Sequence, residues 1–169
     1  KTLWQPMVAA YPRLLYANFN MAVALLNQHD YDAAGPFVDK VVELSPNKDD
    51  PRLLLLQASL LSGRGQLAQA RVLSERTIKS YGGPEAYSLL GWNAFQLGKY
   101  DEAIGLYRQA AARAPRSSAI QIQAGRLLAA QGRCLEAIRY YQQAVRIEKF
   151  NLVYRAELEQ VRRRAVASS

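Results

Sequence analysis

Residues 84–115 read PEAYSLLGWNAFQLGKYDEAIGLYRQAAARAP, two helical patterns divided by a turn. The first half sets Tyr87, Leu90, Gly91 and Ala94 at helical spacing, and the second does the same with Ala103, Ile104, Tyr107, Ala110 and Ala111. Between them Gly98 supplies the left-handed backbone that ends one helix, and Asp101 brings a carboxylate to the positive end of the next. Pro115 closes the unit, which therefore reads as one helix-turn-helix hairpin.

The same unit recurs along the chain. The alanine that opens the second helix returns as Ala34, Ala70, Ala103 and Ala137, at intervals of 36, 33 and 34 residues. The closing proline returns as Pro12, Pro46 and Pro115, with Gly82 and Lys149 in that slot elsewhere. Gly65, Gly98 and Gly132 share the turn position, which His29 fills in the first copy. Two residues further on stand Tyr31, Leu67, Tyr100 and Cys134, and the small-residue slot of the first helix holds Ala22, Ala58, Gly91 and Gly125. A small residue is needed there because two helices must approach closely.

These slots resemble the tetratricopeptide repeat (TPR) family over nearly the whole chain, with Leu90-Gly91, Gly98, Tyr100, Asp101, Glu102, Ala103, Tyr107, Ala110 and Pro115 as the strongest match. Gly125, Gly132, Ala137, Tyr141 and Ala144 follow the same pattern. The resemblance implies an all-α fold, a right-handed α-solenoid of four helix-turn-helix repeats with a C-terminal capping helix. Two departures stand out. Ser74 and Thr77 replace the aromatic and small residue of a second helix, and Pro36 sits early in another, where proline predicts a late start or a bend.

The expected organisation is as follows. Residues 1–14 form an N-terminal cap or the tail of a preceding repeat, residues 15–48 repeat one, 51–83 repeat two, 84–117 repeat three and 118–151 repeat four. Residues 152–169 form a capping helix, with Leu152, Val153, Ala156, Leu158, Val161 and Ala165 as its apolar stripe and a frayed Ala-Ser-Ser end. In such an array each unit buries its stripe only against its neighbours, so no central core is required. The chain begins with Lys1 rather than methionine, which points to processing or excision and is compatible with an absent signal peptide, lipid anchor or upstream domain.

Composition narrows the chemistry. No run approaches the roughly 18 apolar residues of a membrane span. One cysteine, Cys134, cannot form an internal disulfide and occupies a slot otherwise held by apolar residues, so it reads as a small buried group. The formal charge of +8 is concentrated late: residues 1–62 carry five basic and six acidic side chains, residues 63–169 seventeen and eight. Arg71, Arg76, Arg108, Arg139 and Arg146 fall on second helices and read as a solvated outer face, with steering of an acidic partner as a further consequence. A basic helical repeat that binds nucleic acid is the rival reading, but base-reading side chains at regular repeat positions are missing. An enzyme is not indicated: His29 stands in a turn, and no Ser/His/Asp set, phosphate loop or metal pair occurs. Neither cofactor nor metal is called for. A docking domain of a larger enzyme is the third reading.

By resemblance, the first helices line the inner groove that takes the ligand. The register puts Tyr16, Phe19, Asn20, Val23 and Asn27 on that face in copy one, and Arg52, Leu55, Leu56, Ser59 and Ser62 in copy two. Copy three offers Glu85, Ser88, Leu89, Trp92, Phe95 and Gln96, and copy four Ile122, Gln123, Arg126 and Ala130. Aromatics, aliphatics and amides together suit a peptide segment or amphipathic helix of a protein partner, with Trp92 the leading anchor. The charged clamp by which one subgroup captures chaperone tails is missing, because its positions hold Phe19, Val23, Leu56, Glu85 and Leu89. The expected function is a non-enzymatic interaction scaffold, and a homo-oligomer is compatible with it. An arginine-, glutamine- and alanine-rich composition points towards a bacterial assembly factor for a pilus, secretion or envelope machine, periplasmic or membrane-associated, with the cytoplasm also compatible.

Overall fold

The computed structural model describes residues 3–167. Among them the chain forms ten α-helices and no strand: α1 (Gln5–Ala10), α2 (Leu15–Asn27), α3 (Tyr31–Leu44), α4 (Pro51–Gly63), α5 (Leu67–Ser80), α6 (Pro84–Gln96), α7 (Tyr100–Arg113), α8 (Ser118–Ala130), α9 (Cys134–Ile147) and α10 (Leu152–Ala167). They fall into two compact units, Lys1–Gly82 and Gly83–Ser169. The first unit holds the hairpins α2/α3 and α4/α5, with α1 against α2. The second holds α6/α7 and α8/α9, with α10 against α9. The fold is thus an all-α array of helical repeats.

Local chemistry sets the helix ends. The Asp30 carboxylate accepts from the Ala33 amide at 3.1 Å, Asp50 accepts from the Arg52 amide at 2.8 Å, and the Ser117 hydroxyl accepts from the Ile120 amide at 3.5 Å. Pro51 and Pro84 occupy first turns, where the missing N–H costs nothing. The turn inside each hairpin has one residue at positive φ: His29 at 59°, Gly65 at 75°, Gly98 at 74° and Gly132 at 75°.

The hairpins close through the small-residue slot. A Cβ on Gly91 would meet the Tyr107 ring at 3.1 Å, and one on Gly125 would meet the Tyr141 ring at 3.0 Å. Ala22 and Ala58, in the same slot, are fully buried. In the first unit the core gathers Met21, Ala22, Leu25, Ala34, Val38, Val41, Leu53, Leu56 and Leu60. In the second it gathers Ile104, Tyr107, Ile122, Leu127, Leu128 and Tyr141 with Leu158 and Val161 of α10. Cys134 is buried there too.

Two expectations meet a different outcome, and one departure from the family pattern is accommodated. Helix α3 begins at Tyr31, with no late start, and runs through Pro36 to Leu44; the proline ring lies on the exposed side, where solvent can serve the carbonyl it leaves without a donor. Ser74 and Thr77 are buried despite their polarity, because each hydroxyl donates to the carbonyl four residues back, Ala70 and Leu73, at 2.9 Å. On α10 only Leu158 and Val161 are buried; Leu152, Val153 and Ala156 face solvent. The expected fraying at the C-terminus falls, for Ser168 and Ser169, outside the described residues.

The Gly98 turn gives a direct test. A Cβ there meets no atom within 4 Å, so the cost of Gly98→Ala is backbone strain alone. A left-handed non-glycine residue costs about 1–2 kcal/mol, and urea denaturation should show a loss of about 1 kcal/mol with an unchanged m-value.

Candidate functional site

The face of the first helices turned away from their hairpin partners carries most of the expected site residues. In the first unit Tyr16 is exposed and meets Trp4 edge-to-face at 5.4 Å, so the residue just before α1 holds the near end of that face. Asn20 donates to the Tyr16 carbonyl at 2.8 Å. Phe19 and Val23 are half-buried against the α2/α3/α4 core, Leu55 and Ser59 are half-buried, and Asn27 is open.

In the second unit the face divides into an aromatic part and a polar part. Trp92 is 44% exposed and stacks on Phe95 at 5.6 Å with an interplanar angle of 29°. Phe95 in turn lies 5.7 Å from the Tyr100 ring at the start of α7. Leu89 is half-buried and Gln96 is exposed at the end of the helix. Beside them the Ser88 hydroxyl donates to the Gln123 side-chain carbonyl at 2.9 Å, tying α6 to α8. Arg126 is held by Glu157 of α10 through two bonds, 2.9 Å from Nε and 2.5 Å from Nη2.

Three residues assigned to this face from the register are not on it. Leu56 is 4% exposed, Ile122 is 3% exposed, and Ser62 is buried. Leu56 belongs to the seam where α4 packs on α2 and α3, and Ile122 to the core shared by α7, α8 and α9. Burying a large aliphatic side chain is worth about 2 kcal/mol, so an aliphatic residue near an adjoining helix is drawn into the seam. Glu157 was not anticipated. It stands one repeat interval from Gln123, allowing 34 residues per repeat, and extending the register into α10 would have found it.

Much of the late positive charge is neutralised locally. Arg71 pairs with Glu75 at 2.8 Å, Arg76 pairs with Asp49, and Glu136 receives both Arg108 and Arg133. Hydrogen bonds from Arg133, and then Arg108, hold the Glu136 carboxyl below the usual carboxylate range. No group of three or more His, Cys, Asp or Glu side chains that could hold a metal occurs among the described residues, and no helix among them is long and apolar enough to cross a membrane.

Comparison with known proteins agrees with this architecture. A family model described as tetratricopeptide repeat matches residues 55–118 and 88–151, and another with the same description matches residues 15–48. The chain belongs to the tetratricopeptide repeat family. A thermophilic TPR protein of Thermus thermophilus superposes with a TM-score of 0.79 at 18% identity, covering 94% of this chain and 87% of that one. MamA from Desulfovibrio magneticus RS-1 gives 0.61 at 19% identity over 85% and 81% of the two chains. YrrB, described as a TPR protein with an unusual peptide-binding site, gives 0.58 at 14% identity over 95% and 82%. No curated protein sequence matches the chain significantly.

The TPR core also makes a pH prediction. Burial pushes the Tyr107 hydroxyl up to about 12, with the Ser88 hydroxyl beside it acting in the opposite direction, and Tyr141 is likewise raised to about 12 by burial. A tyrosine that stays neutral longer when folded contributes stability below its unfolded pKa of about 10, and that contribution is lost as pH rises towards 12. Ultraviolet titration of the native protein should show two tyrosines ionising near 12, and Tyr107→Phe should remove one of them.

Proposed function

We propose that this TPR chain is a non-enzymatic scaffold that binds a segment of a protein partner along the exposed face of its first helices. The observation that carries the reading is the Trp92/Phe95 stack. An indole left 44% exposed on a helix whose other large apolar side chains are half-buried or buried retains apolar surface that a ligand can cover. Gln96 and Gln123 in the same unit supply amides that suit a peptide backbone, and rigid aromatics beside adaptable amides are the usual anatomy of recognition surfaces. YrrB, a structural neighbour, is described as having a peptide-binding site. In the first unit Tyr16, Phe19, Asn20, Val23, Asn27, Leu55 and Ser59 form the corresponding surface.

The narrower role, an assembly factor for a bacterial pilus, secretion or envelope machine, rests on composition and family analogy. Both readings share one test. Cross-linked capture from the native organism, run with wild type and with Trp92→Ala plus Phe95→Ala, should yield a protein that the variant loses. Titration with the contacting segment should then show Trp92→Ala weakening binding by about 2 kcal/mol, or roughly thirtyfold in Kd. Unfolding stability should fall by about 1 kcal/mol or less, the worth of one aromatic stack. Equal affinities for wild type and both variants would remove this face from the function.

A further inference from the structure

The outer side of the second unit holds a cleft of about 370 Å³ lined by Arg108 of α7, Gln121 of α8, and Glu136, Arg139 and Tyr140 of α9. It involves none of the residues of the first-helix face. Glu136 bridges Arg108 across the helices and Arg133 at 2.6 Å on its own helix. Arg139 lies on the same side of α9, one turn further on, and has no ion-pair partner among the described residues. Arg108, Arg139 and Glu136 line the cleft and Arg133 pairs with Glu136 from outside that lining, so the three guanidinium groups and one carboxylate of this cluster sum to a local charge of about +2 at neutral pH. At the base Gln121 is 5% exposed and gives one amide hydrogen to the Ala111 carbonyl at 3.5 Å. The half-buried Tyr140 ring forms an apolar wall.

We propose that this cleft binds a phosphomonoester. A phosphoryl dianion matches the excess charge, whereas a single carboxylate would leave part of it uncompensated. Its terminal oxygens can accept from Arg139, Arg108 and the Tyr140 hydroxyl together, and arginine's planar fork suits that geometry. At about 370 Å³ the cleft also has room for more than a bare oxyanion. The organic part of the ester would lie against Tyr140. Glu136 opposes entry by holding Arg108, so it tunes affinity downward.

The ester could belong to a small molecule or to a phosphorylated side chain, and calorimetric titration of the full chain separates them. The probes are orthophosphate, adenosine monophosphate and a phosphoserine peptide. At least one ester should saturate the protein and bind about tenfold more tightly than orthophosphate, and whichever ester does so identifies the source. Arg139→Ala and Arg108→Ala should each weaken it about tenfold, the usual scale for losing a charge-assisted bond. Glu136→Gln should tighten it severalfold, and raising the salt should weaken it. Arg108 and Arg139 are exposed and Glu136 is partly so, and thermal melts should confirm intact folds. Failure of every ester to saturate would overturn the proposal. So would binding indifferent to Arg139→Ala, weaker binding by Glu136→Gln, or orthophosphate binding as tightly as the esters.

Discussion

The close approach of the two helices in each hairpin is the constraint on which the rest of the molecule depends. At Gly91 and Gly125 an added methyl would sit 3.0–3.1 Å from a tyrosine ring, so the helices have already come as near as a glycine allows. That closeness buries Tyr107 and Tyr141 almost completely and raises the energy of their ionised forms. It also fixes the rotation of each first helix. Once Gly91 and Ala94 face α7, Trp92 points away from that helix and lies in the open, while Asn93 beside it is buried.

This rotation explains how much could be read from the amino-acid pattern. A slot that demands a small residue every 33 to 36 positions leaves an imprint in composition, so the hairpins and the family were legible from Ala34, Ala70, Ala103, Ala137 and their companions. The turn position was legible for the same reason: all four copies have positive φ there, and His29 shows that the backbone geometry persists where glycine does not. Membership of the exposed face was less legible, because it depends on neighbours that are distant in sequence. Leu56 shares its register position with the exposed Gln123, and Ile122 shares one with the half-buried Phe19, Leu55 and Ser88, yet adjoining helices bury both fully. The polar residues Ser74 and Thr77 departed from the family pattern without weakening the core, because their hydroxyls are satisfied within the same helix.

Charge is arranged on a similar principle of local settlement. Arg71, Arg76, Arg108, Arg126 and Arg133 each meet a carboxylate, and most of these pairs are exposed, where one pair contributes about 0–1 kcal/mol. Such pairs do little for stability, but they decide where uncompensated charge remains. Net charge alone overstates the basic field of the later repeats, since Glu75, Glu136 and Glu157 absorb part of it. The excess at Arg139 is local and sits in a cleft.

Two of the three aromatic positions of α6, Tyr87 and Trp92, differ in how the fold holds them. Tyr87 is held by Arg113, whose guanidinium lies 4.1 Å above its ring and donates to its hydroxyl at 3.1 Å. Ile120, Ala110 and Ala111 complete its packing. Trp92 adds a second large ring on the opposite side, supported by Phe95 and Tyr100 and covered by neither. A serine or arginine occupies the same register position in the neighbouring hairpins, as Ser59 and Arg126 show, so hairpin closure places no demand for an indole there. An exposed indole at that position is consistent with the partner contact proposed above.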